Sequence, residues 1–172
     1  MNEALIGRIG SLASDIYKEL HGSSPFVPGQ TPIPVTGKFF GIEEIAAAIT
    51  ASGEFWLTSG PHTENFERQI ARKVGVRHAF MVNSGSSANL VAISALTSKK
   101  LGERRLQPGD EVLTVAAGFP TTVAPIIQNG LVPVYVDISL GTYVAKSEML
   151  EEAIGPKTKA IMMAHTLGNP FD

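Results

Sequence analysis

The sequence has no cysteine among its 172 residues, so disulfides and thiolate metal sites are excluded within this chain. Basic residues are not in surplus, since the sequence has 14 Lys and Arg residues and 16 Asp and Glu residues. The resulting net charge of -2 leaves little to neutralise nucleic-acid phosphates. No apolar run approaches the roughly 20 residues that a membrane-spanning helix needs, and no signal-peptide pattern opens the chain. We therefore expect a cytoplasmic protein with neither nucleic acid nor membrane as partner. The four scattered histidines lack metal-ligand spacing, and we predict no metal site.

Hydrophobic content of 44% with 17% charged residues is typical of a globular protein. The first twenty residues have the periodicity of an amphipathic helix. The following stretch, "HGSSPFVPGQTPIPVTGKFF", carries four prolines and predicts an extended arm. Two short helices are predicted at 42–52 and 63–74, the second ending at Gly75. We expect residues 1–35 to form a helix and arm, and residues 36–172 to belong to a larger α/β domain.

From residue 78 onward, apolar runs alternate with helical patterns. The runs are "HAFMVN", "EVLTV", "VPVYV" and "KAIMMA", and the helical stretches are 86–98, 120–128 and 147–154. This alternation predicts βαβ units and a mainly parallel sheet. The runs are continuously apolar, as is typical of strands covered on both faces. Because the chain stops at "HTLGNPFD" just after the fourth run, we expect it to be the N-terminal part of a longer protein.

The segment "VNSGSSANL" places a Gly/Ser turn between a predicted strand and a predicted helix. Gly85 would allow a tight turn, and Ser86 or Ser87 would lie at or near the N-cap of the helix. The unpaired N–H groups of such a first turn can bind a phosphate. The alternative is a serine N-cap with nothing bound. The segment is neither a P-loop nor a GxGxxG fingerprint, so taken alone it is a weak signal.

Phe119 follows a glycine and precedes a proline at the end of the second apolar run. An aromatic side chain at the carboxyl end of a strand can cover a flat heteroaromatic ring, although a core position under a loop is the alternative. Together the turn and Phe119 predict a phosphorylated aromatic cofactor. Pyridoxal or pyridoxamine phosphate fits, and so does a nucleotide. Asp137 is interpreted as a turn cap and His165 as a core histidine without assigned chemistry.

Three blocks of the sequence resemble the nucleotide-sugar aminotransferase and dehydrase family, and the resemblance as a whole covers about residues 33–172. They are "WLTSGPHTENFERQIARKVGVRHAFMVNSGSSANL", "GDEVLTVAAGFPTTVAPIIQNGLVPVYVDI" and "KAIMMAHTLGNPFD". The resemblance implies an α/β fold of the type I PLP-dependent, aspartate-aminotransferase-like class. By position, Gly85, Ser86 and Ser87 match the family's phosphate-binding turn, and Phe119 matches the aromatic that stacks on the pyridine ring. "SGSSANL", "AAGFPTT" and the long "LTSKKLGERRLQPGD" connection are most similar to the dehydrases that act at C3.

The resemblance also implies an activity. It implies loss of the C3 hydroxyl from a CDP-4-keto-6-deoxyhexose, dependent on pyridoxamine phosphate, in 3,6-dideoxysugar and lipopolysaccharide O-antigen synthesis. A reductase would supply electrons, and a homodimer is implied. The family's catalytic position and the iron–sulfur cysteines of the dehydrases lie beyond Asp172, so no catalytic residue is assigned and these residues alone are expected to be inactive. The alternatives are a PLP-dependent sugar aminotransferase, with lysine at the catalytic position, and a non-catalytic binding module.

Overall fold

The computed structural model describes residues 2–22, 24–34 and 36–172. The chain forms two compact units, Met1–Ala79 and Phe80–Asp172. The predicted division into 1–35 and 36–172 concerns the domains of the complete protein and stays a prediction; Val35, at its boundary, lies outside the described residues.

The described part of the first unit contains three helices. They are α1 (Glu3–His21), α2 (Ile42–Glu54) and α3 (Pro61–Val74). Asn2 caps α1, because its Oδ1 accepts a hydrogen bond of 2.9 Å from the amide of Leu5. Near the other end of α1, the rings of Tyr17 and His21 form T-shaped contacts with the ring of Phe40 at centroid distances of 5.9 and 4.8 Å. Phe40, two residues before the start of α2, is thereby held against α1.

The predicted end of α3 is confirmed. Gly75 adopts a left-handed φ of 78° and its amide donates to the carbonyl of Ala71, which is the conformation that favours glycine at a helix end. In the proline-rich arm, residues 24–34 and 36–41 contain neither helix nor strand. None of the helices within the described residues is both long and apolar enough to cross a membrane.

The second unit is an α/β layer structure. Its elements are α4 (Gly85–Leu96), β1 (Glu111–Val115), α5 (Pro120–Gln128), β2 (Val132–Val136), α6 (Ser147–Ala153) and β3 (Thr158–Ile161), with 3₁₀ turns at Lys99–Arg104 and Thr166–Gly168. The three strands form one sheet in the order β2-β1-β3, and both pairings are parallel. The predicted βαβ arrangement and parallel sheet are confirmed.

Strand β1 lies at the centre of the core and is covered on both faces. Val112 and Leu113, which are adjacent in β1, are fully buried, and their side chains point to opposite faces of the sheet. On one side Val112 packs with Ile93 of α4 and Ile126 of α5. On the other side Leu113 packs in a second cluster that includes residues of β2 and α6. Because helices cover both faces, a continuously apolar strand is the stable choice at this position.

The first predicted strand, residues 78–83, does not belong to the sheet, and that prediction was wrong. Its apolar pattern predicted burial, yet Phe80 is 80% and Met81 is 55% exposed. An apolar run satisfies only the side-chain requirement of a buried strand. A strand also needs a neighbour in a hydrogen-bonded ladder, and the local sequence does not encode which neighbour is available.

Thr114 offers a test of the packing around β1. Its side chain is fully buried, and Oγ1 has no hydrogen-bond partner among the described residues. We expect Thr114→Val to raise the free energy of unfolding by about 1 kcal/mol, because it removes a buried, unsatisfied hydroxyl while keeping the shape. Chemical denaturation measures the change.

Thr114→Ser is the matched control, since it keeps the hydroxyl and removes a buried methyl group. It should lower the free energy of unfolding by about 1 kcal/mol. A loss of stability in Thr114→Val would contradict the assignment and indicate that Oγ1 has a partner in the folded protein.

Candidate functional site

The Gly/Ser turn forms the start of α4, with Ser84 as the N-cap. Ser84 is extended (φ -162°), and its Oγ accepts a hydrogen bond of 3.1 Å from the amide of Ser87. The Ser87 hydroxyl donates in turn to Oδ1 of Asn83 at 2.6 Å. Ser86 and Ser87 were predicted at or near the cap, and they are the second and third residues of the helix. The cap falls on Ser84 because a side chain at that position reaches the amide three residues ahead.

Two backbone amides at this helix start have no acceptor among the described residues, those of Gly85 and Ser86. Both residues are exposed, and the first turn of α4 contains no acidic residue. Gly85 has an ordinary helical conformation and not a left-handed one. The backbone at this position therefore does not require glycine, contrary to the predicted tight turn. A Cβ at Gly85 would meet no atom within 4 Å, so the space beside the backbone is open. Open amides at a helix start fit an anion such as phosphate.

Phe119 is the residue that immediately precedes α5, and it is 70% exposed. The chain turns into the helix at Pro120, whose fixed φ suits the first helical position. Phe119 lines a cleft of about 510 Å³ at the carboxyl ends of β1 and β3, together with Val115, Thr122 and His165. Because its side chain is so exposed, Phe119 is not part of the hydrophobic core formed by the described residues. Contact with a cofactor stays a prediction.

The starts of α4 and α5 are joined by a side-chain hydrogen bond. The Asn89 Nδ2 atom donates to the Thr121 carbonyl at 3.2 Å, in a partly buried position. A second cavity, of about 180 Å³, lies between the two helices and is lined by Ser86, Ser87 and Thr121. The Gly/Ser turn and Phe119 thus line two cavities that flank the first turn of α5. The structure brings the two predicted features to neighbouring helix starts but not into one enclosed pocket.

Comparison with known proteins decides the family. Residues 40–172 match the sequence model of the DegT/DnrJ/EryC1/StrS aminotransferase family. The chain belongs to this family. It is 51% identical over 164 residues to a dTDP-4-dehydro-2,6-dideoxy-D-glucose 3-dehydratase of Saccharopolyspora spinosa, covering 95% of this chain and 35% of that protein. It is 50% identical over 165 residues to the lipopolysaccharide biosynthesis protein RfbH of Salmonella typhimurium, covering 96% of this chain and 38% of RfbH.

Solved structures agree with the family assignment. The GDP-4-keto-6-deoxy-D-mannose-3-dehydratase of E. coli, with bound hydrated PLP, gives a TM-score of 0.68 at 36% identity, over 74% of this chain and 32% of that one. A protein of Streptococcus pneumoniae described as a sugar aminotransferase, in its PLP form, gives a TM-score of 0.69 at 28% identity. That match covers 81% of this chain and 34% of the S. pneumoniae protein. The predicted fold class is confirmed. The chain spans roughly a third to two fifths of the length of these family members.

The other strand ends of this family member contribute to the same region. Asp137 Oδ1 accepts a hydrogen bond of 2.7 Å from the amide of the next residue, Ile138, and its interpretation as a turn cap stays a prediction. His165 is exposed in the cleft, so its interpretation as a core histidine was wrong. Within the described residues, no group of three or more His, Asp or Glu side chains is placed to hold a metal ion.

Sequence reasoning missed two residues that line the cleft, Tyr143 and Leu167. Both adopt left-handed φ values, 61° and 55°, which are uncommon for residues other than glycine. The "SLGTY" turn before Tyr143 is a readable signal for an irregular segment. Leu167 carries no comparable signal, because a leucine in a left-handed conformation is not predictable from local propensity.

Proposed function

We propose that these residues form the phosphate- and ring-binding part of a vitamin B6-dependent nucleotide-sugar 3-dehydratase. The observation that carries the proposal is the pair of open amides at the start of α4, joined through Asn89 to the helix start that carries the exposed Phe119. The identity of about half to a 3-dehydratase over nearly the whole chain supports the same reaction class.

The residues present fit pyridoxamine phosphate or pyridoxal phosphate. The amides of Gly85 and Ser86 and the hydroxyl of Ser86 would hold the phosphate, and Ser87 would line the same site. The positive end of the α4 dipole would favour the phosphate charge. Phe119 would cover one face of the ring in a cleft whose volume is typical of small-molecule sites. When bound, the cofactor supplies a conjugated ring that takes up electrons as the C3–oxygen bond of the sugar breaks.

We further propose a CDP-4-keto-6-deoxyhexose as the substrate, used in 3,6-dideoxysugar synthesis for lipopolysaccharide. Support for the cytidine nucleotide comes from the dehydrase-like segments "SGSSANL" and "AAGFPTT", whereas the two dehydratases compared above are named for dTDP and GDP sugars. An iron–sulfur cluster, a reductase that donates electrons, a homodimer and a cytoplasmic location are part of the same proposal for the complete enzyme.

A sugar aminotransferase is the second candidate. It is favoured by the fold similarity to the S. pneumoniae protein, whose TM-score of 0.69 matches that of the dehydratase. The two candidates share the phosphate-binding and ring-binding positions proposed here, so the geometry of these residues is compatible with both reactions.

The deciding experiment uses the complete protein with pyridoxamine phosphate, a CDP-4-keto-6-deoxyhexose and an electron donor. We expect the C3 hydroxyl to be lost, with full turnover only when the donor is present. Mass spectrometry after borohydride treatment with pyridoxal phosphate should show no pyridoxyl group attached to a lysine. A pyridoxyl-lysine, with glutamate-dependent formation of an amino sugar, would replace the dehydratase with the aminotransferase. Loss of the hydroxyl from a dTDP or GDP sugar alone would overturn only the cytidine assignment.

A further inference from the structure

His165 lies in the cleft that Phe119 lines, just beyond the carboxyl end of β3. Carboxyl ends of parallel strands are where ligands bind in α/β sheets. The ring of Phe119 is apolar, and most of the other residues that line the cleft are apolar as well. An imidazole in such a setting is a polar group that can orient a ligand.

The imidazole of His165 is held by two contacts with Phe171. The two rings stack at a centroid distance of 4.2 Å and an interplanar angle of 24°. The backbone N–H of Phe171 donates to Nδ1 of His165 at 3.2 Å. Because Nδ1 is the acceptor of that bond, the proton of the neutral ring is on Nε2. Within the described residues, Nε2 has no acceptor of its own.

The turn that returns Phe171 to His165 is strained. Leu167 has φ 55° and ψ 27°, a conformation that costs roughly 1–3 kcal/mol for a residue other than glycine. Asn169 Nδ2 donates to the carbonyl of Thr142 at 3.0 Å and so joins this turn to the one before Tyr143, which is also left-handed. Strained conformations persist where the surrounding contacts determine them, and the two here, Tyr143 and Leu167, line the same cleft as His165.

We propose that His165 is a ligand-contacting residue whose Nε2–H donates a hydrogen bond to an anionic oxygen on the ring that lies against Phe119. The ligand's identity rests on the proposed function. For pyridoxal phosphate, the phosphate is assigned to the start of α4, so the ring acceptor of this chemistry is the phenolate oxygen. The structure fixes the donor before the ligand arrives, which reduces the entropy lost on binding.

The test is a titration of the complete protein with pyridoxal phosphate, followed by fluorescence and by the absorption band of the bound ring. His165→Phe keeps a ring to stack on Phe171 but has no donor. His165→Gln places an amide N–H near the position of Nε2. We expect His165→Phe to bind at least 10-fold more weakly and to shift the absorption band, because a hydrogen bond to a charged acceptor is lost. His165→Gln should stay within about threefold of wild type and keep the band.

Thermal unfolding of the cofactor-free variants is the folding control, and both should melt close to wild type. Unchanged affinity and an unchanged band in His165→Phe would overturn the proposal while leaving the proposed function intact, provided that Ser86→Asp weakens binding in the same assay. Equal losses in His165→Phe and His165→Gln would also overturn it, because a donor at Nε2 would then be irrelevant. A wild-type protein that binds no pyridoxal phosphate would overturn both.

Discussion

The Ser86→Asp variant is expected to bind pyridoxamine phosphate about 100-fold more weakly than wild type. Ser86 is the second residue of α4, is exposed, and carries one of the two open amides. A carboxylate there would stand beside the phosphate. Two like charges 4 Å apart repel by about 4 kcal/mol at the effective dielectric of a protein surface, and screening reduces this to about 2–3 kcal/mol. Each 1.4 kcal/mol is a factor of about ten in affinity.

The same substitution should not harm the fold. An acidic side chain in the first turn of a helix stabilises it by about 0.3–1 kcal/mol, so the melting temperature of the cofactor-free variant should stay level or rise. The opposite signs of the two effects separate a binding role from a structural one. Isothermal titration and thermal unfolding measure them, and Ser86→Asn is the neutral control of matching shape. If the aspartate and asparagine variants bind equally well, the phosphate does not lie at this helix start.

Phe119→Ala should lower cofactor affinity about 30-fold. Stacking of a ligand ring on Phe119, with the apolar area that it covers, is worth about 2 kcal/mol. Stability of the cofactor-free protein should change by less than about 0.5 kcal/mol, because the side chain is 70% exposed and makes no capping hydrogen bond.

Two further variants distinguish stacking from general apolar contact at this position. Phe119→Tyr keeps the aromatic face and should bind almost as wild type, whereas Phe119→Leu keeps apolar area alone and should fall between wild type and alanine. Equilibrium titration by ligand fluorescence gives the ranking. A large drop in melting temperature with unchanged affinity would instead assign Phe119 a packing role.

The sequence predicted best where a local residue type sets the chain's geometry. The predicted 120–128 helix agrees at both ends with α5, where Pro120 occupies the first helical position that proline favours and Asn129 follows the last helical residue. Gly75 similarly ends α3 through a left-handed φ. These signals act within one turn of the chain, so no knowledge of the tertiary structure was needed.

Features that depend on distant neighbours were missed or misplaced. Residues 78–83 are apolar enough for a strand, but ladder partners come from elsewhere in the chain. The cap fell on Ser84 because one of several adjacent serines had to be chosen by backbone conformation, which composition does not specify. The exposure of His165 and the left-handed conformation of Leu167 accompany two contacts that local propensity does not encode, the stacking of Phe171 on His165 and the hydrogen bond from Asn169 to the Thr142 carbonyl.

The hydrogen bond from Asn89 to the Thr121 carbonyl has a consequence for ligand choice. It joins positions 32 residues apart in the sequence and, with the core packing of Ile93 and Ile126, helps to hold α4 and α5 at their spacing. If a ligand places an anionic group at the first and a flat ring at the second, the spacing of the two helix starts limits the length of the arm that joins them. Molecules whose phosphate and ring are joined by a longer arm, as in a nucleotide with its intervening sugar, would be out of register with Phe119. Discrimination by length would then depend in part on an amide side chain that touches neither end of the ligand.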